Sequence, residues 1–238
     1  MLTYMNAARK PVLFYSGGKD SLATLLLLRP WWSKLDVVWV DTGNQFPEVV
    51  QHMRRVASIV PKFTVLHGDT PGFFRENGFP VDVVPTSFTK QGQFIYGQKP
   101  VTVCSRFDCC KANIWEPIAA YMVLTKPDLV LRGDRSSERV DPPSECNGTQ
   151  LRFPIWDWSV EMVREFLEKE AKPAGLLDER HAMSEGSSLD CMTCMAYGCE
   201  HAERMKYLKK HHPQMHEVAV QFFDAYKKAV YDDLKEVL

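Results

Sequence analysis

No apolar run in this 238-residue chain approaches the roughly 20 residues that a helix needs to cross a bilayer. A membrane-spanning protein is therefore not expected. The opening residues, Met1-Leu2-Thr3-Tyr4-Met5-Asn6, lack the long apolar core of a secretory signal, which leads to the expectation of a cytoplasmic protein. Charge of one sign is not in excess either. The 29 Lys and Arg nearly balance the 30 Asp and Glu, for a formal net charge of −1, so there is no whole-molecule attraction to nucleic acid or an anionic membrane. A nucleic-acid acceptor would have to meet a local patch. Cysteine is not scarce: there are seven, an odd number, several of them closely spaced. That usage fits a reduced compartment with a metal or redox site better than a secreted disulfide framework.

What the chain does have is organised around Pro11 to Leu28. Val12-Leu13-Phe14-Tyr15 has strand character, Ser16-Gly17-Gly18 interrupts it, and the residues from Lys19 onward read as a leucine-rich helix. Paired glycines let the backbone approach a ligand closely, and the helix start offers unpaired N–H groups at the positive end of the macrodipole. Together these make an anion site, with phosphate the obvious occupant. Lys19 adds a mobile positive charge, Ser16 and Ser21 add hydroxyls, and Asp20 offers a metal or capping contact. The loop is not a Walker A motif, because Leu13 stands where its first glycine would be and Asp20 follows the lysine in place of Ser or Thr.

Asp36 to Val40 reads as a second buried strand, ending in Asp41-Thr42-Gly43-Asn44-Gln45, and Pro47 suits the first turn of a helix running to about Ile59. Phe63 to Leu66 is a third strand, and 67–100 looks less regular, rich in Gly and Pro. A helix is expected from Arg106 to about Leu124, and a further strand from Asp128 to Arg132 that opens into Gly133-Asp134-Arg135-Ser136-Ser137-Glu138-Arg139. Arg132, Arg135 and Arg139 at a strand's end suit phosphate or sulfate, Arg135 above all. Residues 141–148 read as a mobile excursion, Ser159 as the N-cap of a helix from Val160 to about Lys169, and Glu217 to Leu238 as an amphipathic packing or homodimer helix. The alternation predicts an α/β fold: a doubly wound, mostly parallel sheet with helices on both faces and a C-terminal helical extension. Residues 1–180 would form the nucleotide domain, with 181–238 a Cys-rich segment and helices packed on it. The basic run Arg204, Lys206, Lys209, Lys210, His211 and His212 fits a solvated helix end, or a partner surface.

Cys109-Cys110 and Cys191-Met192-Thr193-Cys194 offer four soft sulfur ligands in two pairs. Tetrahedral zinc and a [4Fe–4S] cluster are both open to such a set, and the wider spread of irons in a cluster accommodates adjacent cysteines more easily. Cys199 stands five residues beyond Cys194 and two before His201. It is either another ligand or a nucleophile whose thiolate the imidazole favours. Cys104 and Cys146 read by default as small buried residues.

Ser16-Gly17-Gly18-Lys19-Asp20-Ser21 resembles the PP-loop of the adenine-nucleotide alpha-hydrolase superfamily. Asp41-Thr42-Gly43 with Phe46-Pro47-Glu48, Gly133-Asp134-Arg135, the Pro154-Ile155-x-Asp157-Trp158 pattern, and a Cys-Cys pair with Cys-x-x-Cys about 80 residues later are similar to the sulfonucleotide (APS and PAPS) reductases. The resemblance implies an adenine nucleotide held by Ser16, Gly17, Gly18, Lys19, Asp20, Ser21, Asp41, Thr42 and Gly43, with Arg135 on a phosphate or sulfate. It implies a [4Fe–4S] cluster on Cys109, Cys110, Cys191 and Cys194, and a thioredoxin-like reductant. The family's nucleophile lies in a Glu-Cys-Gly-x-His tail, and no cysteine follows Cys199 here. Cys199, with His201 and Lys19, is therefore the catalytic candidate. Two alternatives keep the same loop: an adenylating sulfurtransferase that uses ATP with Mg²⁺ and releases pyrophosphate, with a DNA or tRNA acceptor, and a non-catalytic nucleotide- or redox-sensing module.

Overall fold

The structure, a computed structural model, describes residues 2–138, 143–182, 191–196 and 201–235. In chain order the elements are α1 (Tyr4–Ala7), β1 (Pro11–Phe14), α2 (Lys19–Leu27), β2 (Asp36–Asp41), α3 (Pro47–Ile59), β3 (Phe63–His67), α4 (Thr70–Asn77), β4 (Phe79–Val81), α5 (Lys90–Tyr96), β5 (Val103–Ser105) and α6 (Arg106–Cys110). They continue through a π-helical turn at Lys111–Trp115, α7 (Glu116–Thr125), β6 (Leu129–Leu131), β7 (Glu145–Cys146), β8 (Thr149–Arg152), α8 (Val160–Glu170), α9 (His201–His211) and α10 (Pro213–Lys235). The described residues fall into two compact units: 2–41, 46–67 and 117–182 in the first, and 42–45, 68–116, 191–196 and 201–235 in the second.

The first unit is built on a six-stranded sheet in the order β3-β2-β1-β6-β8-β7, parallel except for the β7–β8 pair at its edge. A parallel sheet covered on both faces must be apolar on both, and the central strands supply this: Val12, Leu13, Val37, Val38 and Leu129 to Leu131 are all buried. The chain steps outward from β1 to β3 and then returns to lay β6 on the other side of β1. The carboxyl ends of β1 and β6 therefore flank a topological switch point, where α/β sheets bind ligands. Asp36 is a buried carboxylate at the start of β2, satisfied by Tyr121 Oη at 2.7 Å, Thr64 Oγ1 at 2.8 Å and Lys62 Nζ at 2.7 Å. Ser159 caps α8 as expected, its Oγ accepting from Met162 N–H at 3.3 Å.

The second unit holds the two-stranded parallel sheet β4-β5. Its core joins Val81, Phe88, Val101 and Val103 to Met195 and to Phe222, Phe223, Tyr226, Ala229 and Val230 of α10. This unit departs most from the sequence reading. The stretch expected to be irregular carries α4, β4 and α5, with Asp69 capping α4 by accepting from Gly72 N–H at 2.9 Å and Thr89 capping α5 at 3.0 Å. The helix expected from Arg106 to about Leu124 runs continuously to Thr125, but with a π turn at Lys111–Trp115 inside it. Pro117 has no N–H to give the Asn113 carbonyl, so the ordinary i to i+4 register cannot pass through that point. In the first unit, β7 occupies part of the expected excursion at 141–148 and pairs with β8, Glu145 against Gln150 and Cys146 against Thr149.

Candidate functional site

The first unit gathers the phosphate-loop residues at the switch point. Gly17 adopts a left-handed conformation, φ +80°, which calls for glycine, and it packs beneath the Met53 side chain. Ser21 Oγ accepts from Gly17 N–H at 3.1 Å and donates to Gly18 O at 3.0 Å, with Ser16 Oγ also 3.1 Å away. The two hydroxyls thus hold the loop in shape through its own backbone and leave it at the start of α2, where helix N–H groups favour an anion. Lys19 Nζ rests on Asp20 Oδ2 at 2.7 Å.

The loop after β6 closes on this turn. A Cβ on Gly133 would lie 2.8 Å from the Asp20 carbonyl carbon and the Ser21 nitrogen, an approach that only glycine permits. Two residues on, Arg135 is 2% exposed, and its Nε reaches Asp20 Oδ1 at 2.9 Å while Nη2 reaches Glu138 Oε1 at 3.0 Å. Asp20 therefore sits between two cations, Lys19 and Arg135. Arg132 pairs with Asp134 at 2.9 Å, and Arg139 lies outside the described residues.

Behind the loop is a buried network that the sequence reading missed. Tyr15 Oη meets His52 Nε2 at 2.5 Å, and the His52 and His181 rings lie 5.2 Å apart. His181 Nδ1 lies 3.0 Å from Asp178, which also takes Arg180 at 2.6 Å and Arg55 at 3.4 Å. Burial first, then the charge of Arg180 and the neighbouring His181, lower the pKa of His52 to about 3, so it is neutral. Burial alone would raise Asp178, but the bonds from His181 and Arg180 outweigh it and hold the carboxyl well below the usual range.

The second unit holds Thr42 to Gln45 together with Cys104, Cys109, Cys110, Cys191 and Cys194. Gly43 is left-handed, φ +73°. Thr42 O accepts from Thr70 N–H at 2.9 Å, and Thr42 Oγ1 lies 3.5 Å from Cys191 Sγ. Asp41 ends β2 in the first unit, paired in register with His67. Cys109 and Cys110 close α6 against the π turn, where Asn113 Nδ2 donates to Cys109 O at 3.0 Å and lies 3.7 Å from its Sγ. A Cβ on Gly68 would fall 2.5 Å from Asn113 O. π turns favour functional positions.

The thiols act on one another. Burial, then Cys110, Cys104 and Cys194, push Cys109 up to about 12. Burial, then Asp108 and Cys194, push Cys104 up to about 12. Cys104, half-buried on β5 with its Sγ 3.5 Å from Gly78 O, thus belongs with the paired cysteines, whereas Cys146 is exposed on β7, which corrects its reading as a buried residue. Among the described residues no three His, Cys, Asp or Glu side chains are disposed to hold a metal ion. The chemistry of the donor set nevertheless fits a thiophilic metal: soft sulfurs are grouped in one unit, and burial above all disfavours the thiolates of Cys104 and Cys109. Cys199 lies outside the described residues, as does the His201 side chain.

Residues 10–205 match the phosphoadenosine phosphosulfate reductase domain family. An uncharacterized protein of Methanocaldococcus jannaschii is 46% identical over 50 residues, a match covering 20% of this chain and 10% of that protein. Among solved structures, phosphoadenylyl-sulfate (PAPS) reductase from Candida auris, a phosphate complex, is 17% identical, with 68% of this chain and 73% of that chain covered and a TM-score of 0.46. The U34-tRNA thiolase NcsA from Methanococcus maripaludis, with its [4Fe-4S] cluster, is 10% identical, with 90% and 70% covered and a TM-score of 0.43.

Proposed function

Because the chain belongs to the phosphoadenosine phosphosulfate reductase domain family, we propose that it is a PP-loop enzyme that binds an adenine sulfonucleotide, APS or PAPS, and reduces it to sulfite. The observation that carries this reading is the convergence of the Ser16–Ser21 loop and Arg135 on Asp20 at the switch point of the sheet. Ser16, Gly17, Gly18 and Ser21 receive the nucleotide's anionic groups at the start of α2, and Lys19 turns from Asp20 toward them. Asp41, at the end of β2, completes the nucleotide residues of the first unit in this reading. Arg135 fixes the loop through Asp20 and supplies positive charge for phosphate or sulfate.

In the chemical step the Cys199 thiolate attacks the sulfate sulfur. A sulfur–sulfur bond forms, the bond from sulfur to the bridging phosphate oxygen breaks, and AMP or PAP leaves with the electron pair. Lys19 and the helix start offset the negative charge that develops on the departing phosphate. A thioredoxin-like dithiol then attacks the Cys199 sulfur and releases sulfite, and its second thiol resolves the mixed disulfide. The partner ends oxidised and Cys199 is restored. Cys109, Cys110, Cys191 and Cys194 would hold a [4Fe–4S] cluster, or zinc in its place. When bound, either supplies a soft cationic centre that keeps the four sulfurs as thiolates.

Product analysis of anaerobically purified protein tests the reading. The protein is given APS, PAPS or ATP with Mg²⁺, together with a thioredoxin system. Sulfite from APS or PAPS, lost in Cys199→Ser, is the expected result. Pyrophosphate from ATP without sulfite would overturn it in favour of adenylating sulfur transfer. Tight nucleotide binding with neither product would favour a sensing module.

A further inference from the structure

The turn between Cys191 and Cys194 is held by hydrogen bonds from Asn44 on one side and Arg204 on the other. Asn44 supplies three hydrogen bonds to the two residues between the cysteines. Its carbonyl oxygen accepts from Met192 N–H at 2.8 Å, its Nδ2 donates to Thr193 Oγ1 at 2.9 Å, and its Oδ1 accepts from the same hydroxyl at 3.1 Å. The turn is closed by Cys194 N–H donating to Cys191 O at 3.3 Å. Its far end is tied down by the buried Arg204, whose Nη2 donates to Cys194 O at 2.8 Å and to Ala196 O at 3.1 Å. Met195 is seated in the core of the second unit.

The match between the Asn44 and Thr193 side chains is reciprocal, because an amide carries both a donor and an acceptor, and a hydroxyl can answer both at once. An aspartate would lose the donor, and an aliphatic residue would lose both bonds. Asn44 is itself 9% exposed, so these bonds are little exposed to competition from water. The preceding Gly43, left-handed at φ +73°, reverses the chain so that Thr42 and Asn44 can both reach the Cys191–Thr193 segment.

We propose that Asn44 is the positioning residue of the Cys191-x-x-Cys194 turn, acting through Thr193 to present the two sulfurs as a preformed pair to a thiophilic metal. The inference rests on the reading of these cysteines as metal ligands and goes further by assigning the shape of the pair to a residue that contributes no ligand. Groups that orient ligands from outside the coordination sphere typically change metal affinity by about 10–100-fold when removed, and that is the size of effect expected here.

The test is an anaerobic titration of the reduced full-length protein with Co²⁺, followed by the thiolate-to-cobalt charge-transfer band and back-titrated with Zn²⁺. Wild type, Asn44→Ala, Thr193→Val and Thr193→Ser are compared, each with a thermal melt. The expected result is saturable thiolate binding in wild type, an affinity about 10–100-fold weaker in Asn44→Ala and Thr193→Val, and recovery in Thr193→Ser, which keeps the hydroxyl. Thr193→Val carries the test if Asn44→Ala does not fold. Wild-type affinity in Thr193→Val, or in a folded Asn44→Ala, would overturn the positioning role while leaving the metal reading intact. No charge-transfer band in wild type would overturn both.

Discussion

Arg135 donates from Nε to Asp20 Oδ1 at 2.9 Å across 115 residues of chain, and so fastens the loop after β6 to the first turn of α2. The contact is nearly dry, the Arg135 side chain being 2% exposed. Arg135→Ala would leave the Asp20 carboxylate without its buried cation. Breaking such a pair by removing one partner costs about 3–5 kcal/mol when both are fully buried, and somewhat less here because Asp20 keeps Lys19. A lower midpoint in urea and an AMP or APS affinity weaker by about 10–100-fold, the worth of a charge-assisted hydrogen bond, are expected. Unfolding curves and calorimetry check both.

Gly133→Ala tests the same junction by volume. Its Cβ would lie 2.8 Å from the Asp20 carbonyl carbon, a backbone atom that cannot swing aside, so the α2 start must shift. Overpacking of this kind costs about 1–3 kcal/mol. The expected outcome is lower stability together with weakened nucleotide binding. Loss of stability with unchanged affinity would separate the loop contact from the anion site.

Much of this first unit is legible in the chain because its signals are local. Val12 to Tyr15, the glycine pair and the leucine-rich run of α2 stand side by side, and the strands β2 and β3 are apolar runs bounded by turns. The second unit was harder to read. Pro71, Gly72, Gly78 and Pro80 look like breakers, yet Pro71 sits in the first turn of α4, where a proline is tolerated, and Gly78 ends that helix with φ +82°. The π turn is invisible to periodicity, since five residues cannot separate one helical register from the next. Asn44 and Thr193 are 149 residues apart, and Tyr15, His52, Asp178 and His181 carry no motif. Such pairings are set by tertiary packing, which no local pattern announces.

Stability should fall with acid through two groups, His52 first and Asp178 at lower pH. His52 is held neutral, with a pKa of about 3 against roughly 6.5 in an unfolded chain. Between those values the unfolded state takes a proton that the folded state refuses, so stability falls as pH drops from about 6.5 toward 3, by up to about 1.4 kcal/mol per pH unit. Asp178 is likewise held below its ordinary value and contributes stability that is present above about pH 4 and lost as pH falls below it. Urea unfolding at a series of pH values should show the first loss in wild type and a flatter profile between pH 6.5 and 4.5 in His52→Gln.

Reconstitution with iron and sulfide under anaerobic conditions should load the protein, and iron and sulfide analysis should show that load lost in Cys109→Ala and Cys194→Ala. Cys146→Ser, altered at an exposed position on β7, should load like wild type. Cys104→Ala is the informative intermediate, because Cys104 acts on Cys109 without belonging to either pair. Full loading there makes it a neighbour of the ligands, and lost loading makes it one of them.

The most direct test of the nucleotide site is calorimetric titration of APS into wild type and into Lys19→Ala, with melts to show that both are folded. Lys19 is chosen because it pairs with the adjacent Asp20, so its removal leaves the sheet and the Arg135 contact in place. The account predicts one saturable site in wild type and an affinity lower by about 10–100-fold in the variant, as expected for the loss of a charged hydrogen-bond donor. Equal affinity in the two proteins, or no binding in wild type, would contradict it.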